Sequence, residues 1–195
     1  MNLPNKLSLL RMIMVPIFVI VMMVVPYPFG EIIGVVLFII ASLTDMLDGK
    51  IARKYNLITD FGKFIDPLAD KFMVIGALLV ILYKYQNISN LFIWAVIIVV
   101  FRELAVTSIR LVASSSSGVV IAANWLGKIK TCTQIACVCA VIIEPLIYDA
   151  LNISAIWLVK YPPATYLTTV LMIYFTIWSG INYIVSYWKY LDPQK

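Results

Sequence analysis

Between residues 45 and 70 the chain reads DMLDGKIARKYNLITDFGKFIDPLAD, with five aspartates in a stretch that adjoins long apolar runs. Asp45, Asp48, Gly49 and Ala52 fall on one face of a helix turning about 100° per residue, and Gly62, Asp66 and Asp70 repeat the pattern at steps of four on the next helix. The connector KYNLITDF reverses the chain, so the two acidic faces can meet and four carboxylates converge. The fifth, Asp60, sits in the connector and suits a solvated turn or a helix cap.

An aspartate carried into a bilayer costs roughly 2.5–3.5 kcal/mol, and like charges in a cluster repel one another as well. Divalent cations offset both costs. Hard oxygen donors at this density suit Mg²⁺, Mn²⁺ or Ca²⁺ rather than zinc, and four carboxylates can hold two ions side by side, which implies phosphate chemistry. The chain contains no histidine, so proton transfer near neutral pH falls to a carboxylate. Gly49, Ala52 and Gly62 leave a groove between the acidic faces, and Arg53 is placed to pair with a phosphate held there. Close helix packing explains the glycines equally well.

The elements that must position these residues are membrane helices. Of the 195 residues 63% are hydrophobic, and the mean hydropathy is +0.97. A span needs about 20 apolar residues, and windows of that length fall at roughly 8–26, 32–52, 63–84, 91–112, 125–147 and 165–188. PYPFGE, YKYQNISN, SSSSG and the region 144–164 separate them with Pro, Gly, Asn and Ser. The reading is an all-α integral membrane protein, one domain over residues 1–195. Six transmembrane helices form one bundle, with a short interfacial segment at the N-terminus and the site at the cytoplasmic side. The stretch 146–164 is expected to lie along the interface.

With the N-terminus cytoplasmic, 13 of the 15 basic residues fall at that side and only Lys84 and Lys160 face out, as the positive-inside rule requires. Both termini and the aspartates are then cytoplasmic, which places the protein in the cell membrane as a multi-pass chain. No small-x-small cleavage site follows the first apolar run, so it reads as a retained helix and not a signal peptide. The net charge of +5 is assigned to the anionic leaflet and to the site, with no nucleic acid needed. Cys132, Cys137 and Cys139 have neither zinc-site nor redox-pair spacing and read as packing residues.

A second group of charged residues lies downstream. Arg102 and Arg110 in FRELAVTSIR are about two helical turns apart, and GKIKT adds Lys128 and Lys130. Four cations beside a metal site suit an acceptor that is itself an anion, the plainer alternative being positive-inside anchoring. Glu103 is placed to orient one of these bases.

The run Asp45-x2-Asp48-Gly49-x2-Ala52-Arg53-x8-Gly62-x3-Asp66-x3-Asp70 resembles the complete signature of the CDP-alcohol phosphotransferase family. The resemblance implies a membrane enzyme that moves a substituted phosphate from a CDP-linked donor to an alcohol and releases CMP. It implies two Mg²⁺ or Mn²⁺ ions on Asp45, Asp48, Asp66 and Asp70, with Asp70 also the general base. Gly49, Ala52, Arg53, Thr59 and Gly62 correspond to contacts of the donor's nucleotide and diphosphate. A homodimer is expected on the same ground.

NLPNKLSLLR, FIDPLADK, FRELAV with Arg110, and GKIKT together resemble the branch whose donor is CDP-diacylglycerol and whose acceptor is sn-glycerol 3-phosphate. That branch implies acceptor-phosphate contacts at Arg102, Arg110, Lys128 and Lys130. Its N-terminal segment folds over the cavity, which makes Asn5 and Ser8 candidate donor contacts and Arg11 a candidate acceptor contact; interfacial caps and a snorkelling anchor are the alternatives. The last span carries nothing diagnostic. Rival readings keep the family with inositol phosphate, serine or phosphatidylglycerol as acceptor, or make the chain a cation transporter. The transporter is disfavoured because the acids crowd one end and no inverted repeat is visible.

Overall fold

A computed structural model describes residues 2–55, 59–117, 125–153 and 155–188, without the side chains of residues 46–54, 60, 63, 111 and 113–117. Among the described residues the regular elements are all helical. Six are long: α1 (Leu3–Val24), α2 (Phe29–Lys54), α3 (Asp60–Lys84), α4 (Ser89–Ser117), α5 (Trp125–Ala150) and α7 (Pro163–Tyr187). The seventh, α6 (Ile156–Lys160), is one short turn.

Among the described residues four stretches are long and apolar enough to cross a membrane: α1, Ser89–Arg110 of α4, α5, and Ile156–Tyr187, which contains α7. The remaining long helices, α2 and α3, carry the aspartates and pack against α1. Ile20, Trp94, Phe101, Leu167 and Val185 are exposed on the outer surface, as expected where lipid and not water is the solvent. The interior is assembled from Phe18, Met22, Phe38, Leu78, Ile81, Phe92, Val99, Val138, Ile142 and Met172, with fully buried Ala69, Ala77 and Ala95 letting helices approach. Cys137 lies in this core with its Sγ 3.5 Å from the Thr169 hydroxyl, and Cys132 is exposed.

Several helix ends depart from the hydropathy windows for local reasons. The N-terminal segment expected at the interface is the first turn of α1. The Asn2 side chain caps it by accepting from the Asn5 N–H at 3.2 Å, and Pro4 sits in the first turn where no N–H donor is needed. Thr59, not Asp60, caps α3: its hydroxyl accepts from the Gly62 N–H at 3.0 Å. Helix α5 runs through Pro145 to Ala150.

The end of the bundle away from the aspartates is tied together by polar contacts. Glu31 at the start of α2 pairs with Lys84 at the end of α3 at 2.7 Å, and the same ammonium donates to the Met22 carbonyl in the last turn of α1 at 2.8 Å. Glu144 of α5 accepts from the N–H groups of Ala164 and Thr165 at 3.0 and 2.7 Å, so one helix caps the start of another. The region 144–164, whose role the sequence left open, is therefore the joint between α5 and α7, with α6 exposed beside it.

Candidate active site

Helix α1 enters from the side where α2 ends and α3 begins, and its first three turns face them. Asn5, Ser8 and Arg11 recur at steps of three, so they share one stripe of α1, and all three are buried. Each engages the acidic pair of helices. The Asn5 amide donates to the Thr59 hydroxyl at 2.9 Å, beside the cap of α3. The Ser8 hydroxyl donates to Asp66 Oδ1 at 2.5 Å. One Arg11 nitrogen, Nη1, contacts Asp45 of α2 at 2.7 Å and also Asp70 of α3.

That shared nitrogen is the most informative contact in the site. It brings carboxylates from two helices within reach of a single cationic group. Arg11 is completely buried, while the side chains of Asp45 and Asp70 are 35% and 49% exposed, so the acids sit at the edge of a solvent-reached space with the cation behind them. The space between the two carboxylates already accommodates positive charge, and its donors are hard oxygens of the kind that bind Mg²⁺ or Mn²⁺. Asp45 and Asp70 offer a divalent cation donors of the right type, with Arg11 as the cation that now lies against both. Among the described residues no group of three acidic, thiol or imidazole side chains is assembled at metal-holding distance. Asp48, the fourth expected ligand, lies on α2 with its side chain outside the described residues, as do Gly49, Ala52 and Arg53.

Gly62 sits where α1 presses on α3. A Cβ there would come within 2.8 Å of Asn5 Oδ1 and 3.2 Å of the Thr59 hydroxyl, so the absence of a side chain is what lets Asn5 reach the cap. The structure gives Ser8 and Arg11 partners among the aspartates and Asn5 a partner in Thr59; the sequence pointed to the same three residues as contacts of donor or acceptor.

The basic residues divide into three settings. Glu103 Oε1 accepts from Arg102 Nη1 at 3.2 Å and from the Lys130 ammonium, joining α4 to α5. Arg102 Nη2 donates to the Ser179 hydroxyl of α7 at 2.6 Å. Its Nε is buried with no partner among the described residues, which leaves the guanidinium a donor to spare. Arg110 is exposed and its Nε donates to the Tyr183 hydroxyl, also of α7, at 3.4 Å. Lys128 is exposed, with its ammonium 5.7 Å over the Trp125 ring. The helices that carry the two groups of charges pack together, α3 against both α4 and α5.

Ser179, Gly180 and Tyr183 were missed in the sequence. A Cβ on Gly180 would approach Arg102 Cγ to 3.1 Å, so this glycine gives the arginine stem its passage to Ser179. A small polar pair inside an apolar helix was the available signal, because such pairs mark close helix contacts in membranes.

A family model for CDP-alcohol phosphatidyltransferase matches residues 1–190. A Bacillus subtilis (strain 168) protein named CDP-diacylglycerol--glycerol-3-phosphate 3-phosphatidyltransferase is 41% identical over 206 residues, covering 100% of this chain and 99% of that protein. A Rickettsia bellii protein of the same name is 38% identical over 109 residues, covering 56% of this chain and 58% of its own length. One from Salmonella paratyphi A is 32% identical over 152 residues, with coverage of 75% and 80%.

Proposed function

The chain belongs to the CDP-alcohol phosphatidyltransferase family, and from that premise we propose that it transfers the phosphatidyl group of CDP-diacylglycerol to sn-glycerol 3-phosphate, giving phosphatidylglycerol phosphate and CMP. The observation that carries this reading is the juxtaposition of two groups of charges at one end of the bundle. Asp45, Asp66 and Asp70 gather under α1, and α3, which carries Asp66 and Asp70, packs against α4 and α5, which carry Arg102 and Lys130. The whole-length similarity to a protein named for that donor and acceptor supports the same choice.

Two divalent cations, Mg²⁺ or Mn²⁺, held by Asp45, Asp48, Asp66 and Asp70, would neutralise charge developing on the diphosphate as CMP leaves. Asp70 accepts the proton of the primary hydroxyl of glycerol 3-phosphate as that oxygen attacks the phosphorus bearing the diacylglycerol. Arg102 and Lys130 hold the phosphate that the acceptor already carries, with Arg110 and Lys128 at the rim. Gly49, Ala52, Arg53, Thr59 and Gly62 line the donor's nucleotide and diphosphate. A carboxylate in this setting is a weak base, so orientation by α1 and charge stabilisation supply most of the acceleration. The site faces the cytoplasm, where the basic residues concentrate and both substrates' phosphates are accessible.

The test is CMP release by the detergent-purified protein with CDP-diacylglycerol and Mg²⁺, with and without glycerol 3-phosphate, beside Asp70→Asn. Release that requires both glycerol 3-phosphate and Asp70 is expected. Release that appears only with inositol phosphate would overturn the acceptor, and none with any acceptor would overturn the reaction.

A further inference from the structure

The phosphate-holding cations are not free groups waiting on a surface. Glu103, Lys130 and Arg102 are 12%, 8% and 12% exposed at the side chain, so little water is available to set their geometry. One oxygen of Glu103 receives both cations. Two positive charges brought side by side in a poorly hydrated place repel strongly, and a carboxylate between them is what permits both to remain there charged. Arg102 is fixed a second time from α7 by Ser179, along a path that Gly180 keeps open.

We infer that Glu103, braced through Arg102 by Ser179 and Gly180 of α7, is a positioning residue that sets acceptor recognition by holding Lys130 and Arg102 in register for a phosphate monoester. This rests on the reading of those two cations as the acceptor's phosphate site. Glu103 does not touch the reacting atoms. As an anion it is a poor ligand for a phosphate, and its contacts go to the two groups that would bind one. The acceptor's phosphate then adds a counter-anion to both Lys130 and Arg102, while Ser179 holds the Arg102 guanidinium in place. Helix α7, silent in the sequence, thereby becomes part of the selectivity apparatus.

The experiment is steady-state kinetics of CMP release by the full-length protein as wild type, Glu103→Gln, Glu103→Asp, Ser179→Ala, Lys130→Met and the double variant Glu103→Gln/Lys130→Met. Glu103→Gln is expected to raise KM for glycerol 3-phosphate about tenfold, the scale of one charge-assisted contact, with KM for CDP-diacylglycerol unchanged. Glu103→Asp should recover part of the loss, Ser179→Ala should raise the same KM by a smaller factor, and Glu103→Gln should add little once Lys130 is gone. A fall in kcat with neither KM altered, or full additivity in the double variant, would show a purely structural role and overturn the inference. If Glu103→Gln does not fold, Ser179→Ala decides: an unaltered KM for glycerol 3-phosphate overturns it. A wild type whose CMP release ignores glycerol 3-phosphate defeats the acceptor reading itself, an outcome separate from an active wild type with insensitive variants.

Discussion

Replacing Arg11 by methionine removes a charge from behind Asp45 and Asp70 while keeping most of the side chain's length and apolar stem. Breaking a fully buried ion pair by deleting one partner costs about 3–5 kcal/mol, because the remaining charge is left without compensation. Here the carboxylates are 35% and 49% exposed, so water screens part of their repulsion. The lower end, about 3 kcal/mol, is the expected loss. For a chain of this length each kcal/mol moves the melting temperature by about 2–4 °C, giving a fall of about 6–12 °C in chelator-treated protein.

Two further arms identify the cause. A divalent cation that binds only the folded protein stabilises it by about 2.7 kcal/mol at a hundred times its dissociation constant, so saturating Mg²⁺ should restore most of the loss in Arg11→Met. The wild type should gain less, since its guanidinium competes for the same two carboxylates. Neutralising one acid, in Arg11→Met/Asp45→Asn, should relieve the repulsion and raise the melting temperature above that of Arg11→Met alone. Thermal unfolding in detergent measures all of these. An Arg11→Met protein as stable as wild type in chelator, or a loss that Asp45→Asn does not relieve, would refute the assignment of Arg11 as counter-charge to the pair.

Three other perturbations probe separate parts of the bundle. Gly62→Ala puts a methyl group against Asn5 and the Thr59 hydroxyl; overpacking of this kind costs about 1–3 kcal/mol, and a lowered kcat alongside a lowered melting temperature is expected. Glu144→Ala leaves the N–H groups of Ala164 and Thr165 and the Tyr148 hydroxyl without their acceptor, at a cost of about 1–3 kcal/mol. Thermal melts should register that loss while kcat and both KM values hold, because the joint lies at the opposite end from the aspartates. Chelation should abolish CMP release, with Mg²⁺ or Mn²⁺ restoring it and zinc failing to do so, measured by titrating each metal into chelator-treated protein.

The acidic helices were legible because their chemistry is local: Asp45, Asp66 and Asp70 lie on two consecutive helices and each meets a residue of α1. The six long helices were legible from hydropathy, since a bilayer fixes the length of a span, and four of them hold described stretches apolar enough to cross one. Their ends were less so. The start of α1 depends on a cap at Asn2, and the passage of α5 through Pro145 is something composition does not forbid. The partners of the site were hidden for a different reason. Ser8 meets Asp66 across 58 residues and Arg102 meets Ser179 across 77, so their meaning lies in helix packing and not in any local pattern.

That long-range packing bears on which acceptors fit. If Asp70 takes the hydroxyl proton and Lys130 with Arg102 holds the phosphate, the separation of those groups is a ruler set by how α3, α4 and α5 pack. Helix α3 packs against both α4 and α5, so the ruler is built from direct helix contacts. A small acceptor whose hydroxyl and phosphate are the two ends of a three-carbon chain can span it. A bulky ring bearing its phosphate would have to displace Glu103 or the Arg102 stem, which Ser179 and the tight approach at Gly180 hold in place. Discrimination among anionic acceptors then comes from the rigidity of α7 against α4, and enlarging Gly180 to valine should raise KM for glycerol 3-phosphate while leaving KM for the lipid donor alone. An equal rise in both would mean that α7 supports the bundle as a whole and does not set the ruler.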